Sequence, residues 1–284
     1  PLSILIGTNA SGKSNALDAL LLLNRVSFGA MLTSALKGDS ALSPVRGGIE
    51  WAARKPGSVF AVGIVCCGDE FTDYEYRLEG EIVESRCDLY SEQLTRTKYR
   101  PGKDNRRKSI AGTIKLVRTD PCIKGSPTIT ARLYNEKQGT RRQLSRTHPV
   151  LFQLVGQKLR QEIQDGVTAV ITALRDIFIL DPIPSHMRNF SPLSERLESD
   201  ASNIAGVLAG LPQDKQKEIE KVLTQYAGQL PERDIRRVYA ETVGRFNSDA
   251  MLYCEEHWLD GGPPPTVDAR GMSDGTLRFL AILT

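Results

Sequence analysis

The 284-residue sequence lacks the features that mark a membrane protein, a disulfide framework or a zinc site. No apolar run approaches the roughly 20 residues that a membrane-spanning helix needs. The five cysteines are odd in number and include no C-x-x-C pair, and only three histidines accompany them. We therefore expect reduced thiols and a cytoplasmic protein with no membrane attachment.

A strong charge of one sign is also absent, since 37 basic and 34 acidic residues leave a net charge of +3. That value is too small to imply nucleic-acid binding by itself. Hydrophobic residues make up 40% and charged residues 25%, which excludes wholesale disorder. The length allows one large domain with an insertion or two smaller domains. The chain begins without a methionine and ends within a helical pattern, so we expect a fragment of a longer protein.

Hydrophobic patterning changes character along the chain. Residues 2–6 are a short apolar run that predicts a buried strand, and residues 13 to about 24 predict a mostly buried helix. Residues 59–147 contain strand-like runs separated by turn residues. Residues 149–259 keep helical spacing and predict a mainly helical segment. A connector rich in glycine and proline then precedes a last strand, turn and helix.

A phosphate-binding loop is the strongest motif in the sequence. The pattern G-x-x-x-x-G-K-[ST] is matched without a mismatch, with a predicted strand before it and a predicted helix after it. The glycines let successive backbone N–H groups turn toward a phosphate, and the helix N-terminus adds positive charge. Lys13 would bridge the β- and γ-phosphates of ATP, and the Ser14 hydroxyl would be a Mg²⁺ ligand. The predicted ATP-binding residues are Gly7, Thr8, Asn9, Ala10, Ser11, Gly12, Lys13, Ser14 and Asn15.

The residues around this loop are similar to those of one branch of the ABC-type ATPases. Asn15 directly follows the motif and Leu17-Asp18-Ala19-Leu20 comes next, which resembles the RecF/SMC/OLD branch. The stretch from Ser194 to Leu208, with Ala201-Ser202-Asn203-Ile204-Ala205 at its centre, resembles a further element of the same ATPases. The β-rich segment has no counterpart in this resemblance.

A second motif, Ser273-Asp274-Gly275-Thr276-Leu277-Arg278-Phe279-Leu280, lies about 260 residues after the first. Taken alone it predicts a well-capped helix, because Ser273 can be an N-cap and Asp274 puts an acid in the first turn. Alongside the phosphate loop it resembles the ABC signature motif. That resemblance implies that Ser273, Asp274 and Gly275 contact the γ-phosphate of ATP held by the opposite subunit. Asp274 and Thr276 depart from the transporter spelling Ser-Gly-Gly-Gln, which favours the RecF/OLD type.

The resemblance implies an α/β fold, that of a P-loop NTPase of the ABC-head type with a β-rich sub-lobe and an inserted helical sub-lobe. The expected segments are a P-loop core at 1–58, a β-rich lobe at 59–148, a helical lobe at 149–260 and a signature segment at 261–284. The Walker B strand, with its Mg²⁺-binding aspartate and catalytic glutamate, would follow Thr284. No catalytic residue is therefore expected in this chain, and no glutamine can be assigned to the Q-loop.

The function implied by the resemblance is Mg²⁺-dependent ATP hydrolysis by a head that forms a homodimer, or a higher homo-oligomer, around ATP. In this branch such heads gate a DNA-directed activity, above all a nuclease effector in anti-phage defence, on the same chain or a partner subunit (the Septu ATPase is one such case). Two alternatives stay open. One is an ATP-gated DNA clamp or loader in repair or recombination, without nuclease activity. The other is a small-molecule kinase, which would leave the second motif unexplained.

A basic cluster between residues 96 and 108 is a candidate DNA-binding surface. It contains seven cations and one acid, Asp104. Cations are what phosphate contacts require, and Arg141, Arg142 and Arg146 would extend the strip. The alternative is a solvated hairpin, since only Tyr99 offers a ring for base stacking. The candidate residues are Arg96, Lys98, Arg100, Lys103, Arg106, Arg107 and Lys108.

Overall fold

The chain has a mixed α/β fold. The structure is a computed structural model, and it describes residue 8 and residues 12–40, 42–102, 106–134, 139–230, 235–257 and 265–284. Two units can be distinguished, Pro1–Ile177 and Phe178–Thr284. The strand predicted at residues 2–6 lies outside the described residues. Within the described part of the chain, no helix has the length and apolar character needed to cross a bilayer.

Six antiparallel strands form a meander in the first unit, where each strand pairs with the next along the chain. Four of them confirm the strand-like runs predicted within residues 59–147, which follow from alternating apolar side chains and from the turn residues between the runs. The strands at 86–101 and 140–145 are additional to those runs. The strands are β1 Val59–Asp69, β2 Thr72–Val83, β3 Arg86–Pro101, β4 Arg107–Thr119, β5 Thr128–Leu133 and β6 Thr140–Ser145.

Helices cover one face of this sheet. They are α1 Lys13–Ser27, α2 Leu32–Lys37, α3 Val150–Gln153 and α4 Gln161–Arg175, with a 3₁₀ turn at Ile49–Trp51. α4 packs on the sheet and α1 packs on α4. Gly166 permits the close approach of α4, because a Cβ there would lie 2.8 Å from Leu116 Cδ1. The predicted helix after the phosphate loop is confirmed as a helix, but it is not mostly buried. Its first turns are largely exposed, and Leu22, Leu23 and Val26 of its second half join the core of the sheet.

The described residues of the second unit form a small antiparallel sheet and four helices. Its elements are α5 Pro184–Met187, β7 Ser191–Pro192, α6 Ile204–Gly210, α7 Gln213–Ala227, β8 Ile235–Val243, β9 Asp249–Glu256, β10 Thr266–Asp268 and α8 Asp274–Leu283. β9 pairs with β7, β8 and β10. Leu208, Leu223 and Leu277 of the helices form one core with Val238 and Leu252 of the strands.

The mainly helical segment predicted at 149–259 is wrong in its last part, where β8 and β9 form a hairpin. Val238 and Ala240 of β8 are buried, as are Leu252 and Cys254 of β9. Tyr239 and Met251 are buried as well, so each strand contains a continuous buried run, as in strands covered on both faces, and a hairpin turn separates the two runs. The first unit also extends to Ile177, so α3 and α4 belong with the six-stranded sheet.

Candidate functional site

The phosphate-loop motif ends at the start of α1. Gly12 is the N-cap of this helix and has a left-handed backbone with φ 89° and ψ 3°. Glycine adopts this conformation without strain, which gives a physical reason for glycine at this position. Within the described residues, no side chain caps this helix start, and its first turn contains no acid. The motif residues outside the described part are Gly7, Asn9, Ala10 and Ser11.

Two polar side chains of the motif that the structure describes, Lys13 and Ser14, lie in the first turn of α1. Lys13 Nζ donates a hydrogen bond to the Thr8 carbonyl at 2.8 Å, so the lysine folds back toward the loop. Ser14 and Asn15 are exposed. The first N–H groups of a helix have no partner inside the helix, and the helix dipole gives that end a partial positive charge. Together these groups offer N–H donors, an ammonium and a hydroxyl, which suit a phosphate with a bound Mg²⁺.

Arg46 is a second cation at this site, and no sequence pattern revealed it. Its Nη2 donates to the Ser14 carbonyl at 3.3 Å, and its Nε pairs with Asp18 Oδ1 at 3.2 Å. A cavity of about 240 Å³ beside α1 is lined by Arg46, Asn15 and the exposed ring of Trp51. Because Arg46 lies 32 residues after Ser14, only the fold brings it to the loop.

The predicted signature residues lie at the start of α8. Ser273 is the N-cap, and its Oγ accepts a hydrogen bond from Thr276 N at 3.0 Å, which confirms the predicted cap. Arg188 Nη2 donates to Asp274 Oδ1 and to the Met272 carbonyl, both at 2.8 Å. The chain's own side chains therefore close this helix start. The exposed residues here are Ser273, Asp274 and Gly275.

The stretch from Ser194 to Leu208, which resembles a further element of the same ATPases, contains a loop that the Asn203 side chain holds in place. The buried Asn203 side chain accepts a hydrogen bond from Glu198 N at 2.9 Å and donates one to the Arg196 carbonyl at 2.8 Å. Gly206 packs on β7, where a Cβ would collide with the Pro192 carbonyl. Packing and backbone hydrogen bonds thus explain the asparagine and the glycine of this element.

The predicted basic cluster does not form one continuous surface. Arg96 is buried and its Nη1 pairs with Glu162 Oε1 of α4 at 3.2 Å, so it is part of the packed interior and cannot contact DNA. Arg107 Nη1 pairs with Asp73 Oδ2 at 2.6 Å, and its guanidinium lies over the Tyr99 ring. The hydrogen bond from Arg107 is the main reason that the pKa of Asp73 is lowered.

The predicted extension of the cluster is also interrupted. Arg146 is buried and donates to the Leu89 carbonyl, and Arg142 donates to Gln157, whereas Arg141 is exposed. Lys103 of the original cluster lies outside the described residues. The remaining cluster members are exposed and have no ion pair with any described residue; they are Lys98, Arg100, Arg106 and Lys108.

The buried carboxylate of Glu92 accepts the backbone N–H groups at the start of a third helix, α3. Glu92 of β3 is 2% exposed, and it accepts hydrogen bonds from Val150 N at 2.5 Å and Leu151 N at 2.7 Å, the first residues of α3. Tyr76 Oη donates a third at 3.0 Å. Burial raises the pKa of Glu92 to about 7, although the three hydrogen bonds favour the charged form. No sequence motif pointed to Glu92.

Among the described residues, no group of three or more His, Cys, Asp or Glu side chains is placed to hold a metal ion. Comparison with known protein families, with curated proteins and with solved structures finds no match to this chain. Its function is inferred from the residues and their geometry.

Proposed function

We propose that this chain is part of an ABC-type ATPase head of the RecF/SMC/OLD-like branch that binds and hydrolyses Mg²⁺-ATP. The observation that carries the proposal is the start of α1. There a left-handed Gly12 is followed directly by Lys13 and Ser14, and no acid lies in the first turn. A helix start, whose first N–H groups have no partner inside the helix, favours a phosphate over other small ligands when an ammonium is adjacent.

The residues of the loop fit a nucleotide with its metal ion. Backbone N–H groups at the start of α1 would donate to phosphate oxygens, and Lys13 would neutralise charge on the β- and γ-phosphates. The exposed Ser14 hydroxyl would be a protein ligand of Mg²⁺, which lowers the charge of the phosphates when bound. The Asp18 carboxylate, in the second turn, is paired with Arg46. That pairing offsets a negative charge that would otherwise oppose the phosphates.

The start of α8 is proposed to act on the nucleotide of a second copy. Its exposed residues Ser273, Asp274 and Gly275 would meet the γ-phosphate held by the opposite head, so that ATP bridges a homodimer. A carboxylate would repel that phosphate, but Asp274 is held by Arg188, whose positive charge offsets it. Because the charge of Asp274 is offset, an aspartate between Ser273 and Gly275 is compatible with a phosphate contact.

The ATPase cycle is proposed to gate a DNA-directed activity, with a nuclease effector in anti-phage defence as its target. Exposed cations on the six-stranded sheet support a DNA partner, because the ATP chemistry at α1 does not require them. Cleavage of DNA by the intact protein or its partner subunit distinguishes this from an ATP-gated clamp that binds DNA without cutting it.

The test compares ATP hydrolysis by the intact protein with that of Lys13→Ala and of Lys37→Ala, an exposed lysine at the end of α2. Loss of a preorganised cation at the phosphates lowers kcat by at least about 100-fold. We expect that loss in Lys13→Ala, together with weaker ATP binding, and wild-type turnover in Lys37→Ala. Wild-type hydrolysis by Lys13→Ala would refute the assignment of the loop.

A further inference from the structure

The sheet face opposite the helices, here called the outer face, carries a row of arginines that the strand register creates. Arg118 of β4 pairs with Arg132 of β5, which pairs with Arg141 of β6. Residues directly opposite in a sheet project to the same face, and adjacent strands lie about 4.8 Å apart. The three arginines therefore occupy adjacent positions that span about 10 Å of the outer face, although they are far apart in sequence.

A β-bulge adds a fourth cation to the outer face. Thr95 pairs with Lys115 and Leu94 pairs with Val117, so Leu116 is the extra residue of the bulge. Because of it, Lys115 and Arg118 project to the same face although they are three residues apart. Both side chains are exposed.

A cavity of about 540 Å³ lies on the outer face, and some of the charged side chains that line it have ion-pair or hydrogen-bond partners whereas others have no ion pair. The carboxylates of its lining have partners: Glu79 accepts from Arg77 and Ser91, and Asp120 accepts from Arg132 at 2.5 Å. Glu81 pairs with Arg146, and Glu92 is held at the start of α3. The cations of the lining that have no ion pair with any described residue are Arg118 and Lys124.

Positive charge gathers on one half of this face. Arg141 and Lys115 have no ion pair within the described ranges either, which brings the cations without an ion pair on β4, β6 and the β4–β5 loop to four. The acids Glu75 and Glu79 lie on β2, two strands away or more. Asp120 is nearer, but it accepts its hydrogen bond from Arg132. That bond lowers the pKa of Asp120, and the charges of Arg132, Arg141 and Arg118 add to the effect.

We propose that this half of the outer face, formed by Lys115, Arg118, Lys124 and Arg141, binds the phosphate backbone of duplex DNA. The proposal rests on the DNA-directed function inferred above and assigns its contact surface, in place of the interrupted cluster at 96–108. Guanidinium groups match phosphate oxygens bidentately. Single-stranded DNA would require exposed rings for base stacking, and Tyr90 is the aromatic residue that lines the cavity. A duplex presents phosphates without requiring stacking.

The experiment measures binding of a short DNA duplex by the intact protein, without nucleotide, as salt rises from about 50 to 200 mM. The outer-face variant carries Lys115→Ala, Arg118→Ala, Lys124→Ala and Arg141→Ala. Each lost phosphate contact reduces the slope of log K against log salt by about 0.9, so we expect the slope to flatten by up to about 3.6. A charge-preserving variant with Arg118→Lys and Arg141→Lys should keep most of the slope.

A matched control removes four exposed cations from the second unit, with the substitutions Lys215→Ala, Lys217→Ala, Arg236→Ala and Arg245→Ala. It changes the net charge by the same amount and should keep the wild-type slope. A third variant alters the exposed members of the 96–108 cluster, Lys98, Arg100, Arg106 and Lys108. Thermal unfolding shows whether each variant is folded.

An outer-face variant that is folded and keeps the wild-type salt slope would overturn the proposal, whatever the third variant does. Tighter binding of a single strand than of the duplex would also overturn it, as would absence of DNA binding by the wild-type protein. ATP hydrolysis in the absence of DNA tests the phosphate loop separately. Normal hydrolysis without DNA binding would therefore refute the outer-face site and leave the ATPase assignment standing.

Discussion

The starts of α1 and α8 are built in opposite ways, although both carry motifs that resemble phosphate-binding elements. At α1 the N-cap is a left-handed glycine, no side chain of a described residue caps the helix, and its first turn has no acid. At α8, Ser273 caps the helix and an acid in its first turn is held by Arg188. The positive end of a helix attracts an anion more strongly where the protein's own acids do not lie in the first turn. The role proposed for α8 is accordingly a contact with the nucleotide of a second copy, and not a phosphate site of its own.

Glu92 extends the comparison, because at α3 a carboxylate of the protein itself occupies the helix start. Its pKa is raised from 4.5 to about 7. Between these two pH values the folded chain keeps a proton that the unfolded chain has lost. The free energy of unfolding therefore falls as pH rises through this window, by about 3 kcal/mol from this group.

Glu92→Gln should remove that pH dependence, since the amide does not titrate. Denaturant unfolding of wild type and variant between pH 5 and 8 measures it. Other carboxylates titrate alike in both proteins, so the difference in slope belongs to Glu92. Parallel pH profiles would show that the carboxylate is not protonated in the folded state.

The backbone at Gly12 offers the next largest effect. A Cβ at Gly12 would meet no atom of a described residue within 4 Å, so the expected cost of Gly12→Ala is the backbone strain, of about 1–2 kcal/mol. Gly244, in the β8–β9 turn, is a matched control, with φ 85° and equally open space. Both alanine variants should lose similar stability by thermal unfolding. We expect weaker ATP binding in Gly12→Ala and wild-type ATP binding in Gly244→Ala. Equal ATP affinity in the two variants would show that nucleotide binding does not depend on the left-handed turn at Gly12.

The ion pair at α8 should have the smallest effect. Arg188→Ala removes the bond to Asp274, whose side chain is 70% exposed, and exposed pairs contribute about 0.2–1 kcal/mol. We expect a stability loss in that range, and unchanged ATP binding by the isolated monomer. Arg196→Ala, at an exposed arginine of the same unit, is the control. A loss well above 1 kcal/mol would mean that Arg188 holds more than the start of α8.

Sequence patterns predict the elements that depend only on residues close together in the chain. The helix after the phosphate loop, the strands at 59–147 and the Ser273 cap all depend on neighbouring residues. The β8–β9 hairpin was missed because Ala250, Met251 and Leu252 are buried in succession, which obscures the two-residue period of a strand.

Long-range partners explain what no sequence pattern could supply. The sequence predicts Arg96 as a surface cation, but its guanidinium is buried and pairs with Glu162, 66 residues later. Arg46 reaches the phosphate loop across 32 residues. The arginine row of the outer face depends on the register of three strands and on one bulge. Composition and spacing show that cations are present, and the fold decides which of them are paired.

The central claim, that ATP bridges two heads through the start of α8, is tested most directly by sedimentation of intact Ser273→Asn with a non-hydrolysable ATP analogue. Asparagine caps a helix as well as serine, so the variant should keep wild-type stability and ATP binding. We predict an ATP-dependent dimer for the wild type and a monomer for Ser273→Asn at the same concentration. Dimerisation of Ser273→Asn to the wild-type extent would show that Ser273 is a helix cap alone.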